Sequence, residues 1–152
     1  MNSKEAFNLQ PAGQQHATAI RRLVARSGIN PTGLDWQRFL VAVNEDGELV
    51  GCGQIKPHKD GSQELASIAV EKAWRNQGIA TAIIQRLVAG HDGDLYLMCQ
   101  SSLGSLYEEF GFYAIEENEM PTYFRRVSKL ASVLDTLRRA GEHLLIMRRP
   151  GS

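Results

Sequence analysis

The chain is short of most residues that build metal sites, disulfides or membrane spans. It has two cysteines and four histidines among 152 residues, and lysine plus arginine equals aspartate plus glutamate at 17 each. Cys52 and Cys99 lie far apart, each in a run that reads as a strand, so they are expected to be buried free thiols. His16, His58, His91 and His143 show no metal-ligand spacing with one another or with the cysteines, so no metal is expected. A balanced charge with a pI of about 6.9 leaves no basic footprint for nucleic acid. No apolar stretch approaches the roughly 20 residues that cross a bilayer, and the first residues, Met1 to Glu5, carry no signal-peptide run. A cytoplasmic location without membrane contact is the expectation. Repeats, low-complexity tracts and linkers are also missing, which points to one domain over residues 1–152.

What is present reads as alternating strands and helices. Phe7 to Leu9 suits a short strand ending before Pro11. Ala17, Ile20 and Val24 mark an amphipathic helix that stops at Gly28. Leu34 to Arg38 suits a short helical piece. Phe39 to Val43, an Asp46-Gly47 turn and Leu49 to Ile55 make a hairpin, and Asp60-Gly61 turns the chain into a third strand. Gly51 and Gly53 signal either a bulge or a close backbone approach. Ile79, Ile83, Ile84, Leu87 and Val88 form a broad apolar helical face. Leu95 to Cys99 reads as a strand buried on both faces, parallel to the strand before the helix. Ser101 and Ser102 offer caps for a short helix with Leu103, Leu106, Tyr107 and Phe110 on its apolar side, ending before Gly111. Ser105 with Glu108 matches a capping box, which leaves that start open. Phe112 to Ile115 reads as a strand. Tyr123, Val127, Leu130, Leu134 and Leu137 recur at helical spacing, with Arg125, Arg126, Lys129, Arg138 and Arg139 on the outer side. His143 to Met147 suits the last strand.

One stretch carries chemistry. An apolar strand, Glu64 to Val70, runs into Arg75-Asn76-Gln77-Gly78-Ile79-Ala80, which opens a helix. The first amides of a helix lack internal partners and sit at the positive end of its dipole, so a strand, a tight turn and a helix start make an anion site. An ordinary strand–loop–helix connection has the same outline.

Arg75-x-x-Gly78-x-Ala80 after the strand, with Leu106-Tyr107-x-x-x-Gly111-Phe112 downstream, resembles the GNAT superfamily of N-acetyltransferases, over nearly the whole chain. The resemblance further suggests a cyanobacterial or plastid-type branch. It implies an α/β fold with a mostly antiparallel mixed sheet, one parallel strand–helix–strand unit, and a helical insertion before the last strand. It implies acetyl-CoA as donor. The backbone of Ile68, Ala69 and Val70 would pair with the pantetheine arm, and Arg75, Asn76, Gln77, Gly78, Ile79 and Ala80 would hold the pyrophosphate. Tyr107 would protonate the leaving thiolate, its phenol having an ordinary pKa of about 10. Glu64, eleven residues before Arg75, matches the glutamate that accepts the amine's proton in some members. Gln100 stands where some relatives carry asparagine, and Leu95 where others carry a glutamate. Each role has a plainer counterpart: core packing for Tyr107, an exposed strand-end carboxylate for Glu64, a surface salt bridge for Arg75. Glu108, Glu109, Glu116, Glu117 and Glu119 are reserve bases. The implied activity is acetyl transfer to a primary amine on a protein N-terminus, a lysine or a small molecule. The alternatives are a silent acyl-CoA-binding module and an interaction protein working through its C-terminal helix. That helix is a solvated face, a homodimer contact or an acceptor lid.

Overall fold

The computed structural model describes residues 6–134 and 141–152, Leu134 by its backbone alone. In chain order the elements are β1 (Phe7–Pro11), α1 (Ala17–Arg26), β2 (Phe39–Asn44), β3 (Leu49–Pro57), β4 (Gln63–Val70) and α2 (Ile79–Ala89). They continue with β5 (Leu95–Gln100), α3 (Gly104–Glu108), β6 (Tyr113–Ala114), α4 (Thr122–Leu134) and β7 (Leu144–Arg149). The strands form a seven-stranded mixed sheet in the order β1-β2-β3-β4-β5-β7-β6. β1/β2, β2/β3, β5/β7 and β6/β7 are antiparallel, whereas β4 and β5 run parallel with Glu64 opposite Tyr96. A parallel pair needs a crossover, and α2 supplies it. The expected mixed α/β fold, with a helix inserted before the last strand, is therefore present. No helix among the described residues is long and apolar enough to cross a membrane.

The chain forms two compact units, Met1–Lys56 with Leu65–Gly90, and Pro57–Glu64 with His91–Ser152. In the first, α1 buries Ile20, Leu23 and Val24 against Phe39, Val41, Val43, Cys52 and Ala69. Ile79 and Ile83 of α2 pack on Leu40, Ala42 and Val50. The two strand glycines make this possible. A Cβ on Gly51 would stand 2.7 Å from Ile79 Cγ2, and one on Gly53 would stand 2.6 Å from Ile68 Cδ1. Close approach is thus their role, and the bulge lies instead in β2 between Ala42 and Val43. β1 continues through Pro11, which pairs with Leu40. A proline without an N–H is tolerated there because β1 is an edge strand.

In the second unit the hydrophobic pattern misplaces several faces. β5 buries Leu95, Leu97 and Cys99, but Tyr96 and Met98 are only half-buried, packed on the cluster of Ile115, Met120, Phe124 and Ile146. Burial on both faces is therefore incomplete. α3 follows a 3-10 turn at Ser101–Leu103, and neither serine caps it: Ser101 Oγ accepts the His143 amide at 3.2 Å. Leu103 and Leu106 are exposed, so the apolar side expected in the core is not there. Gly111 does take the left-handed conformation expected at a helix end, with φ +91°. β6 is only two residues long. On α4 the buried positions are Phe124 and Ala131, while Leu130 is 63% exposed. The stripe runs one step round the helix from the Tyr123–Leu130 line because Phe124, the largest ring, fills the space beside Tyr96. Leu137, Arg138 and Arg139 lie outside the described residues.

Phe124 is fully buried and Leu130 is not. Phe124→Ala should cost about 3–5 kcal/mol, and Leu130→Lys no more than about 0.5 kcal/mol, as read by urea unfolding. Equal effects would contradict the assigned helix face.

Candidate functional site

The first unit carries the strand–turn–helix segment. Within β4, Ser67 has φ +59°, a left-handed conformation that a serine in a strand adopts only under constraint. Such a residue costs on the order of 1–3 kcal/mol, and its neighbours supply the constraint. Gln54, fully buried, donates through Nε2 to Ser67 Oγ at 2.9 Å and to the Gly33 carbonyl at 3.1 Å. Its Oε1 accepts from Arg38 Nε at 3.3 Å, and the Cys52 thiol points at the Ser67 carbonyl at 3.5 Å. The kink therefore falls just before Ile68, Ala69 and Val70. The sequence offers one hint of it, a serine inside an otherwise apolar run.

Beyond the strand, Arg75 turns back and donates through Nε to the Val70 carbonyl at 3.3 Å. Asn76 at φ +66° and Gly78 at φ +85° then reverse the chain into α2. The Ala82 amide closes the first turn on the Gly78 carbonyl at 3.0 Å. The amides of Ile79 and Ala80 precede that bond and have no acceptor within the helix. A Cβ on Gly78 would meet nothing within 4 Å, so the space above the turn is open.

The second unit holds the two acid–base candidates. Glu64 is 6% exposed, not the exposed carboxylate of the plainer reading, and its Oε1 lies 2.7 Å from His58 Nε2. Tyr123 stacks on His58 at 3.7 Å between ring centroids, and Phe124 meets it edge-on at 5.6 Å. Asp60 fixes the lid of this arrangement by accepting from the Tyr123 amide at 2.9 Å, the Ser62 amide at 2.9 Å and the Ser62 hydroxyl at 2.6 Å. Tyr107 lies on α3, half-buried, edge-on to Phe112. Burial first, and the nearby Cys99 thiol second, push its phenol above the ordinary value, so it keeps its proton well past neutrality. Gln100 is exposed at the end of β5. Burial pushes the Cys52 thiol up to about 12 and raises that of Cys99, which leaves both unreactive. Among the described residues no three His, Cys, Asp or Glu side chains are placed to hold a metal.

Residues 35–114, just over half of the chain, match the family model described as the acetyltransferase (GNAT) domain. The chain belongs to the GNAT acetyltransferase family. The matched span runs from before β2 to the end of β6. No curated protein sequence matches it. Among solved structures, the N-acetylglutamate synthase of Neisseria gonorrhoeae, complexed with coenzyme A and N-acetyl-glutamate, aligns with TM-score 0.73 and 17% identity. That alignment covers 99% of this chain and 36% of the other, so the GNAT chain spans about a third of that protein. Rv2747 of Mycobacterium tuberculosis, in complex with CoA, aligns with TM-score 0.70 and 23% identity over 94% of this chain and 98% of its own. The Escherichia coli ribosomal-protein-S18-alanine N-acetyltransferase gives TM-score 0.65 and 19% identity over 97% and 95%. At these identities the likeness establishes the fold.

Within this GNAT chain the residue beside Glu64 that sequence reasoning misses is His58. Its spacing from the other histidines suits no metal, and nothing local marks its partner, six residues away across the Asp60-Gly61 turn. The same turn has a pH signature. Burial raises the Asp60 pKa, but the bonds from Ser62 and from the Tyr123 amide outweigh it and hold the carboxyl below the ordinary range. Stability from a depressed carboxyl is present above its unfolded pKa and lost as pH falls through the folded one. Acid unfolding followed by Tyr123 fluorescence should therefore lose part of its slope below the ordinary carboxylate range in Asp60→Asn. An unchanged slope would show that the turn does not hold α4.

Proposed function

We propose that this chain moves an acetyl group from acetyl-CoA to a primary amine by direct attack, with both substrates bound together. The observation that carries the reading is the segment from β4 into α2. A left-handed Asn76 and a left-handed Gly78 reverse the chain into α2, whose first amides, those of Ile79 and Ala80, have no acceptor within the helix, as a pyrophosphate site requires. Coenzyme A in two of the fold neighbours supports the same donor. Arg75, Asn76 and Gln77 would complete the phosphate loop, while Ile68, Ala69 and Val70 would offer backbone to the pantetheine arm. The Ser67 kink re-aims that backbone, which suits N–H groups facing a developing oxyanion.

The acid–base work falls to the second unit. Tyr107, with its phenol held protonated, is suited to give a proton to the departing thiolate. The base falls to the buried pair of Glu64 and His58, which share a hydrogen bond of 2.7 Å. Gln100, next to the start of α3, would contribute amide hydrogen bonds to the bound coenzyme. The acceptors named for the neighbours differ in kind, so a protein N-terminus, a lysine and a small amine all stand as candidates.

The test follows free CoA released from acetyl-CoA over a panel of amines. Tyr107→Phe should lower kcat by about a hundredfold and leave the dissociation constant for acetyl-CoA unchanged. Acetyl-CoA binding by calorimetry with no turnover on any amine would overturn the enzymatic reading.

A further inference from the structure

We propose that His58, rather than Glu64, takes the proton from the acceptor amine, and that Glu64 is the positioning residue that orients it. This rests on the acyltransferase reading above and specifies its base. The two side chains share the 2.7 Å hydrogen bond between Nε2 and Oε1, and each is 8% exposed. They differ in what they border. A cavity of about 460 Å³ in the second unit is walled by His58, Lys59, Asp60, Thr122, Tyr123 and Arg126, and Glu64 is not part of that wall. Of the pair, His58 is the residue that lines the cavity.

The hydrogen bond also bears on the chemistry of the ring. With Glu64 ionised its carboxylate only accepts, which puts a neutral ring's proton on Nε2 and its lone pair on Nδ1. Ring orientation is held from both sides, by Tyr123 stacked at an interplanar angle of 16° and by Phe124 at 83°. Histidine is the side chain most often used as a general base near neutral pH.

The proton balance is simple. One N–H bond of the acceptor ammonium breaks, its electron pair stays on nitrogen, and the proton adds to Nδ1. Glu64 stabilises the imidazolium that forms. The amine attacks the thioester carbonyl, the C–S bond breaks with its pair on sulfur, Tyr107 gives the thiolate its proton, and the second proton that nitrogen loses on becoming an amide restores the phenol. Ammonium and thioester become amide and thiol with the release of one proton, which leaves His58 for water in the cavity. The groups that face His58 during this cycle are Glu64 from β4, Asp60 from the turn and Tyr123 from α4, with Lys59 and Arg126 on the cavity wall.

The test measures kcat/KM for the acceptor amine against pH in the full chain. His58→Gln keeps an N–H donor for Glu64 but has no basic nitrogen. It should lower kcat/KM at neutral pH by about a hundredfold or more, remove the acid limb of the profile, and leave KM for acetyl-CoA unmoved. His58→Ala should recover part of its rate when free imidazole is added, and Glu64→Gln should not. If wild type turns over and His58→Gln matches it with the same acid limb, the proton goes to Glu64 and the proposal is wrong. Loss in His58→Ala that imidazole leaves untouched, with His58→Gln active, overturns it equally. A wild-type chain that releases no CoA with any amine overturns the acyltransferase reading itself.

Discussion

A carboxyl group taken out of water needs a hydrogen-bond partner, and the burial of Glu64 imposes that condition on everything around it. His58 meets it from the end of β3, which requires the turn at residues 59–62 to bring the two strand ends side by side. The His58 amide donates to the Ser62 carbonyl at 2.9 Å, and Asp60 gathers the Ser62 donors, so the turn is built for that closure. Asp60 also accepts the Tyr123 amide, and so the start of α4 is tied to the same turn. Tyr123 and Phe124 then close over the imidazole. The helix that family resemblance marks as an elaboration is in this way the cover of the pair.

The first unit obeys a different constraint, the thickness of β3. Without side chains at Gly51 and Gly53, α2 and the end of β4 settle directly on the strand backbone. That contact sets where α2 begins, and the left-handed Asn76 and Gly78 make the reversal that its start demands. The kink at Ser67 carries a conformational cost, and the buried Gln54 network offsets it with three hydrogen bonds and a thiol contact. The amides at the helix start and the kinked strand are thus two outcomes of one packing arrangement.

Legibility in the sequence follows the range of the interactions. The strand–turn–helix segment, the hairpin turns and the glycine at the end of α3 are local events, coded by residues within a few positions of one another. Gly78 is readable because only its own φ demands it. The face of α4 is not readable, because the period of Tyr123, Val127 and Leu130 is as helical as that of Phe124 and Ala131. What separates the two stripes is the neighbour that each meets. The exposed Leu103 and Leu106 make the same point for α3.

By itself the sequence determined the order of elements, the parallel crossover, the glycine turn into α2 and the membership of the GNAT family. Each depends on periodicity, on a conformationally special residue or on a short motif. Tertiary structure alone decided that Glu64 is buried, that His58 is its partner and that Tyr123 covers the ring while its amide is tied to the turn. The physical reason is that these contacts join residues as far apart as Asp60 and Tyr123. A linear pattern gives such pairs no common signal, and only the folded chain brings them within hydrogen-bond reach.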